Sequence, residues 1–116
     1  MFSDDEINDF RILQHRLVEK GFNVLMLGGS CPFQIEANHK SGISVYMRCR
    51  DQTASLEVYD CQMDSGLDAD LPDDEHIIWE GEFDCFEKFE AGYINSNQAD
   101  YVFSQLWADA LERIDL

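Results

Sequence analysis

Cys31, Cys49, Cys61 and Cys85, with His15, His39 and His76, are the side chains of this 116-residue chain best suited to nucleophilic or metal chemistry. Their spacing argues against both. Consecutive cysteines lie 18, 12 and 24 residues apart, without the close-set C-x-x-C pairs that usually build zinc sites. Only His39 and His76 fall near any cysteine. A thiol nucleophile would pair Cys31 with His15 or His39, yet a thiolate needs a base in reach and a cationic setting. A formal net charge of −16 works the other way. Ordinary reduced thiols are therefore expected, with Cys49 on the apolar phase of a strand.

Phosphate chemistry fares no better. "LGGSCPF" (27–33) places two glycines after an apolar run, but it lacks the lysine of a P-loop and the G-x-G-x-x-G spacing of a dinucleotide fold. It reads as a turn. Paired carboxylates for acid–base work are uninformative in a chain with 24 of them.

The loudest feature is "DCQMDSGLDADLPDDE" (60–75), seven carboxylates in sixteen positions with no lysine or arginine. Residues 64–75 have the length of an EF-hand loop, with acids at positions 1, 5 and 12. Gly66 stands at position 3, Ala69 replaces the glycine needed at 6, and Pro72 stands at 9. The calcium motif fails, leaving at most a weak, irregular cation site. The sequence predicts no cofactor, no metal ligand and no catalytic residue.

The elements that must carry these residues are legible from periodicity. Ser3 and Glu6 form a capping box with Phe2 and Ile7 as its apolar staple. Ile7, Phe10, Leu13, Leu17 and Val18 follow at helical spacing, and Gly21 is the natural stop. "NVLML" (23–27) reads as a short buried strand. Three alternating runs succeed it: Phe33, Ile35 and Ala37; Ile43, Val45, Met47 and Cys49; Leu56 and Val58. Reading 51–54 as a four-residue loop pairs Arg50 with Ser55 and Arg48 with Glu57. The polar face then carries Glu36, Tyr46, Arg48, Glu57 and Tyr59, either as an ion ladder or as a partner-binding face. "HIIWEGEF" (76–83) sends Ile77, Trp79, Gly81 and Phe83 one way and Ile78, Glu80 and Glu82 the other. Asn95 and Gln98 suit a helix start. From Ala99, an apolar stripe of Val102, Phe103, Leu106, Trp107, Ala110, Leu111 and Ile114 demands burial along one side. The expected fold is α+β: one domain, 1–116, with an antiparallel sheet of four to five strands and both terminal helices on one face.

Charge along this frame is uneven. Residues 1–59 carry a net −2, residues 60–90 a net −11 against Lys88 alone, and residues 91–116 a net −3. Such a surface opposes direct binding to nucleic acid or anionic membrane, since both need cations. The acidic opening residues do not read as a signal peptide, and no apolar run approaches the ~18–20 residues of a membrane span. A cytoplasmic location is expected.

The core "CPFQIEA…ISVYMRCRDQTASLEV", followed by "EAGYINSNQAD", resembles a pattern in small bacterial and phage proteins without an assigned activity. It spans 31–59 and 90–111. Those proteins usually carry glycine where Ala37 stands and an aromatic where Ala54 or Ser55 stands. The resemblance implies no site residues. In overall character the chain is similar to phage anti-defence proteins, including anti-CRISPRs. The expected function is a non-enzymatic inhibitor that blocks the nucleic-acid-binding surface of a basic protein or nucleoprotein complex by charge mimicry. Its expected contact residues are Asp64, Asp68, Asp70, Asp73, Asp74, Glu75, Glu80 and Glu82, with Trp79 as apolar anchor and Phe86, Phe89 and Tyr93 nearby. The alternatives are an immunity protein neutralising a basic nuclease toxin, and an acidic housekeeping domain or weak cation-binding module.

Overall fold

Alternation of period two over 33–59, and of period 3.6 over 99–114, requires a sheet with one apolar face and a helix to cover it. The computed structural model describes residues 4–28, 33–50, 53–63, 71–84 and 96–114, and it has that architecture. Helix α1 (Asp4–Glu19) is followed by strands β1 (Phe22–Gly28), β2 (Phe33–His39), β3 (Ser44–Arg50) and β4 (Thr53–Tyr59). A 3-10 turn (Asp74–His76) leads into β5 (Ile77–Asp84), and helix α2 (Ser96–Arg113) closes the order. The five strands form one antiparallel sheet in the order β1-β2-β3-β4-β5. α1 lies against β1, α2 lies over β4 and β5, and the helices touch each other. No helix among the described residues is long and apolar enough to cross a membrane.

The core lies between the helices and one sheet face. Leu13 and Leu17 meet Phe33, Ile35, Ala37, Val45, Met47, Cys49, Leu56 and Val58, beneath Val102, Phe103, Leu106 and Trp107. Phe22 is its aromatic hub, edge-on to Phe103 and Trp107 at centroid distances of 5.3 and 5.1 Å. Arg16 and Lys20 both reach Asp100, at 3.5 and 3.1 Å, tying α1 to α2. Gly21 ends α1 at φ 95°, a backbone conformation that disfavours any side chain.

Several expectations change. Val18 and Leu111, assigned to the buried stripes, are 53% and 42% exposed, because each helix turns only part of its apolar face to the sheet. β1 is an edge strand covered on one side, not a buried one. A bulge between Val24 and Met26 keeps both Val24 and Leu27 on the core while Met26 faces out. The register of β3 and β4 also differs. Arg50 pairs with Thr53, leaving only residues 51 and 52 between the strands, so Arg48 faces Ser55 and Glu57 faces Tyr46. The Arg48–Glu57 rung does not form. The physical reason is burial: Ala54 is fully buried on the core phase, which a four-residue loop would forfeit. The caps expected at Ser3–Glu6 and at Asn95 lie outside the described residues.

Candidate functional site

The sheet face away from the helices holds the polar residues, and register decides which of them meet. One row crosses four strands as Glu36, Tyr46, Glu57 and Glu80, and the next as Gln34, Arg48, Ser55 and Glu82. Adjacent rows on one face lie roughly 7 Å apart along the strands, and directly paired residues roughly 5 Å apart across them. Acids thus gather on the β4–β5 side. Ser55, Glu57, Glu80, Gly81 and Glu82 border a concavity of about 380 Å³ there. Among the described residues, no lysine or arginine forms an ion pair with Glu57, Glu80 or Glu82. The chain holds no basic residue other than His76 between Arg50 and Lys88.

Tyr59 is tucked beneath this surface. It is 1% exposed, and its phenol donates a hydrogen bond to Glu57 Oε2. Burial pushes the phenol's pKa well above its usual value; the bond to Glu57 and the charges of Glu57 and Asp74 add to that. Tyr46 accepts a 3.1 Å hydrogen bond from Gln34 Nε2, and its pKa is raised by burial against the opposing pull of Arg48.

The chain leaving β4 folds back over the polar face and is tied down by side chains of the sheet. Ser44, fully buried, donates to the Cys61 carbonyl at 2.6 Å. Asn38 clamps Met63 from both sides, accepting from its N–H at 2.7 Å and donating to its carbonyl at 3.0 Å. The Asp60 N–H donates to the His76 carbonyl at 2.8 Å, and the two side chains meet, His76 Nδ1 to Asp60 Oδ1, also at 2.8 Å. Asp60, Cys61 and His76 therefore share one corner, with donor atoms all within 4.8 Å of one another. The first residues of the acidic stretch and the 3-10 turn preceding β5 are fixed relative to the sheet.

Against the expected contact residues, Asp73, Asp74 and Glu75 are exposed at the 3-10 turn, and Glu80 and Glu82 are exposed along β5. These five border the outer face. Asp64, Asp68 and Asp70, with Phe86, Phe89 and Tyr93, lie outside the described residues. Trp79 takes the opposite phase from Glu80 and Glu82 and packs against the core, with its indole over Gly81. The apolar side chain that shares the acidic phase is Ile78, 43% exposed. Glu57, already placed on the polar face by strand alternation, joins the acidic residues through its pairing with Glu80, and the Asp60–Cys61–His76 corner is an addition that local patterns do not disclose. Nothing local points to the corner, because Asp60 and Cys61 meet His76 from a segment sixteen residues on.

No protein-family model, no curated protein and no solved structure matches the chain.

Proposed function

We propose that the protein is a charge-mimicking inhibitor. In this reading the outer face of β4–β5 and the adjoining 3-10 turn dock on a basic protein surface that otherwise holds nucleic acid, the mode of action of a phage-type anti-defence protein. The observation that carries it is the Glu57–Glu80 rung. Like charges directly opposed across antiparallel strands are destabilising, and a single lysine at either position would relieve them. Holding them on paired strands, with Glu82 one row on, fixes carboxylates in space as a floppy loop does not.

The match is one of charge sign rather than phosphate for phosphate. β5 alone presents one carboxylate per ~6.8 Å, against one phosphate per ~3.4 Å along a single strand of duplex DNA. Glu57 and the acids at 73–75 raise that density, and Ile78 offers an apolar contact beside it. Association with a cationic groove would be fast and strongly salt-dependent.

The test is affinity capture from host extract at about 0.1 M and about 0.5 M salt, since screening lengths fall steeply over this range. A basic nucleic-acid-binding protein should be recovered at low salt only, and it should lose its nucleic acid when the inhibitor is added. The triple variant Glu57→Gln, Glu80→Gln, Glu82→Gln should capture much less. Equal capture by that variant, or a captured partner that binds nucleic acid undisturbed, rules the proposal out.

A further inference from the structure

We propose that Asp60, Cys61 and His76 form a site for one borderline transition-metal ion, with Zn²⁺ as the fitting occupant. Asp60 and Cys61 are chain neighbours, and on a regular strand neighbours point to opposite faces. Here they occupy a bend just past the end of β4, so both side chains reach one point. His76 arrives from a segment sixteen residues on, held by the Asp60 N–H to His76 carbonyl bond and by its own N–H donating to the Asp73 carbonyl at 2.9 Å. The buried Ser44 hydroxyl fixes Cys61 from behind. All three donors are positioned by backbone contacts that the metal itself does not have to supply.

The geometry is close to a coordination sphere. Zinc bonds of about 2.0–2.3 Å in a tetrahedron set donor separations of roughly 3.3–3.6 Å. The present donors all lie within 4.8 Å of one another, with His76 and Asp60 at 2.8 Å. Side-chain rotations of about an ångström open the His76–Asp60 hydrogen bond and draw in the thiol. The Cys61 thiol loses its proton to solvent on binding, and no redox step is involved.

The donor set selects the metal. Sulfur and imidazole disfavour calcium and magnesium, which want six or more oxygens, and suit zinc, cobalt or nickel. A cleft of about 260 Å³, bordered by Cys61, Met63, Leu71, Pro72, Asp73 and His76, leaves room for a water at the fourth position. Exposed Asp73, Asp74 and Glu75 beside it raise the local concentration of cations. A surface His–Asp pair alone would need neither the thiol nor the cleft.

Co²⁺ titration of a Cys31→Ser, Cys85→Ser chain tests the site, because it leaves only Cys61 and the buried Cys49 as thiols. A thiolate-to-cobalt charge-transfer absorption should saturate at one equivalent and vanish when Zn²⁺ is added. Cys61→Ser should abolish it, and His76→Gln should weaken binding at least about tenfold. Absence of the band in the parent, or its survival in Cys61→Ser, overturns the proposal. If the double variant does not fold, the unaltered chain is alkylated with and without Zn²⁺. Protection of Cys61 supports the site, and equal alkylation sinks it. Neither measurement involves a protein partner, so the outcome is independent of the inhibitory reading.

Discussion

Glu57 on β4 and Glu80 on β5 are cross-strand partners, two carboxylates directly opposed on the solvent side of the sheet. Glu57 accepts a hydrogen bond from the buried Tyr59 phenol, and among the described residues Glu80 has no lysine or arginine partner. The fold tolerates this rung; it gains nothing from it. Stability and binding should consequently respond to it in opposite directions. Glu80→Lys is expected to raise the urea midpoint, by roughly 0.2–1 kcal/mol of stability, because a like-charge pair becomes an opposite-charge pair. The same variant should capture a basic partner less well. A loss of stability in Glu80→Lys would show that the rung is not strained by repulsion.

Removing the phenol isolates the other half of this relationship. Tyr59→Phe keeps the ring in its buried place but leaves Glu57 without its donor. A hydrogen bond to a charged group contributes about 1.5–3 kcal/mol, so a loss of about 1–2 kcal/mol in chemical denaturation is expected for this half-buried carboxylate. The pH dependence has a definite sign. The folded-state pKa of Tyr59 lies above its ordinary value of 10, so its contribution is intact below about pH 10 and is lost as pH rises further. Stability of the unaltered chain should fall more steeply above pH 10 than that of Tyr59→Phe.

His39 provides an acid-side counterpart. Its ring is edge-on to Phe22 at 4.8 Å and tilted against Trp107 at 5.3 Å. Nε2 donates to the Lys20 carbonyl at 3.3 Å, while Nδ1 accepts from the Ser41 N–H at 3.2 Å and lies 2.8 Å from its hydroxyl. This is the neutral tautomer. Burial holds the ring's pKa below the ordinary histidine value, reinforced by the charge of Lys40 and opposed by the Lys20 hydrogen bond. The unfolded chain therefore takes up the proton first. Stability is complete above about pH 6.5 and declines as pH falls below it. Thermal midpoints measured between about pH 7 and pH 5 should drop for the unaltered chain relative to His39→Gln. Parallel profiles would show that the ring is not held neutral.

Gly81 answers to Trp79 rather than to its own backbone. A Cβ built on Gly81 would lie 2.8 Å from Trp79 Cζ2 and closer still to Cη2, so the indole has to move if one is added. Gly81→Ala is expected to cost about 1–3 kcal/mol, the range for overpacking a filled site. It should also turn Trp79 toward solvent. Acrylamide quenching reads that movement, since Trp107 is buried and contributes little change. Unaltered stability and quenching would mean that the indole relaxes without consequence.

Much of this protein is written in local pattern. Alternation of Phe33-Ile35-Ala37 and Val45-Met47-Cys49 determines which sheet face is buried, because successive side chains of a strand point to opposite sides. The stripe from Ala99 to Ala110 determines that α2 lies flat on that face, and composition alone determines the sign of the surface. Pairing is another matter. A two-residue change in the β3–β4 connection leaves every residue on its proper face yet exchanges Arg48 for Tyr46 opposite Glu57, so periodicity cannot distinguish the two registers. The tertiary structure decided that rung, along with the one-sided cover of β1 and the meeting of Asp60 and Cys61 with His76. Each depends on contacts between segments distant in sequence, which no local period encodes.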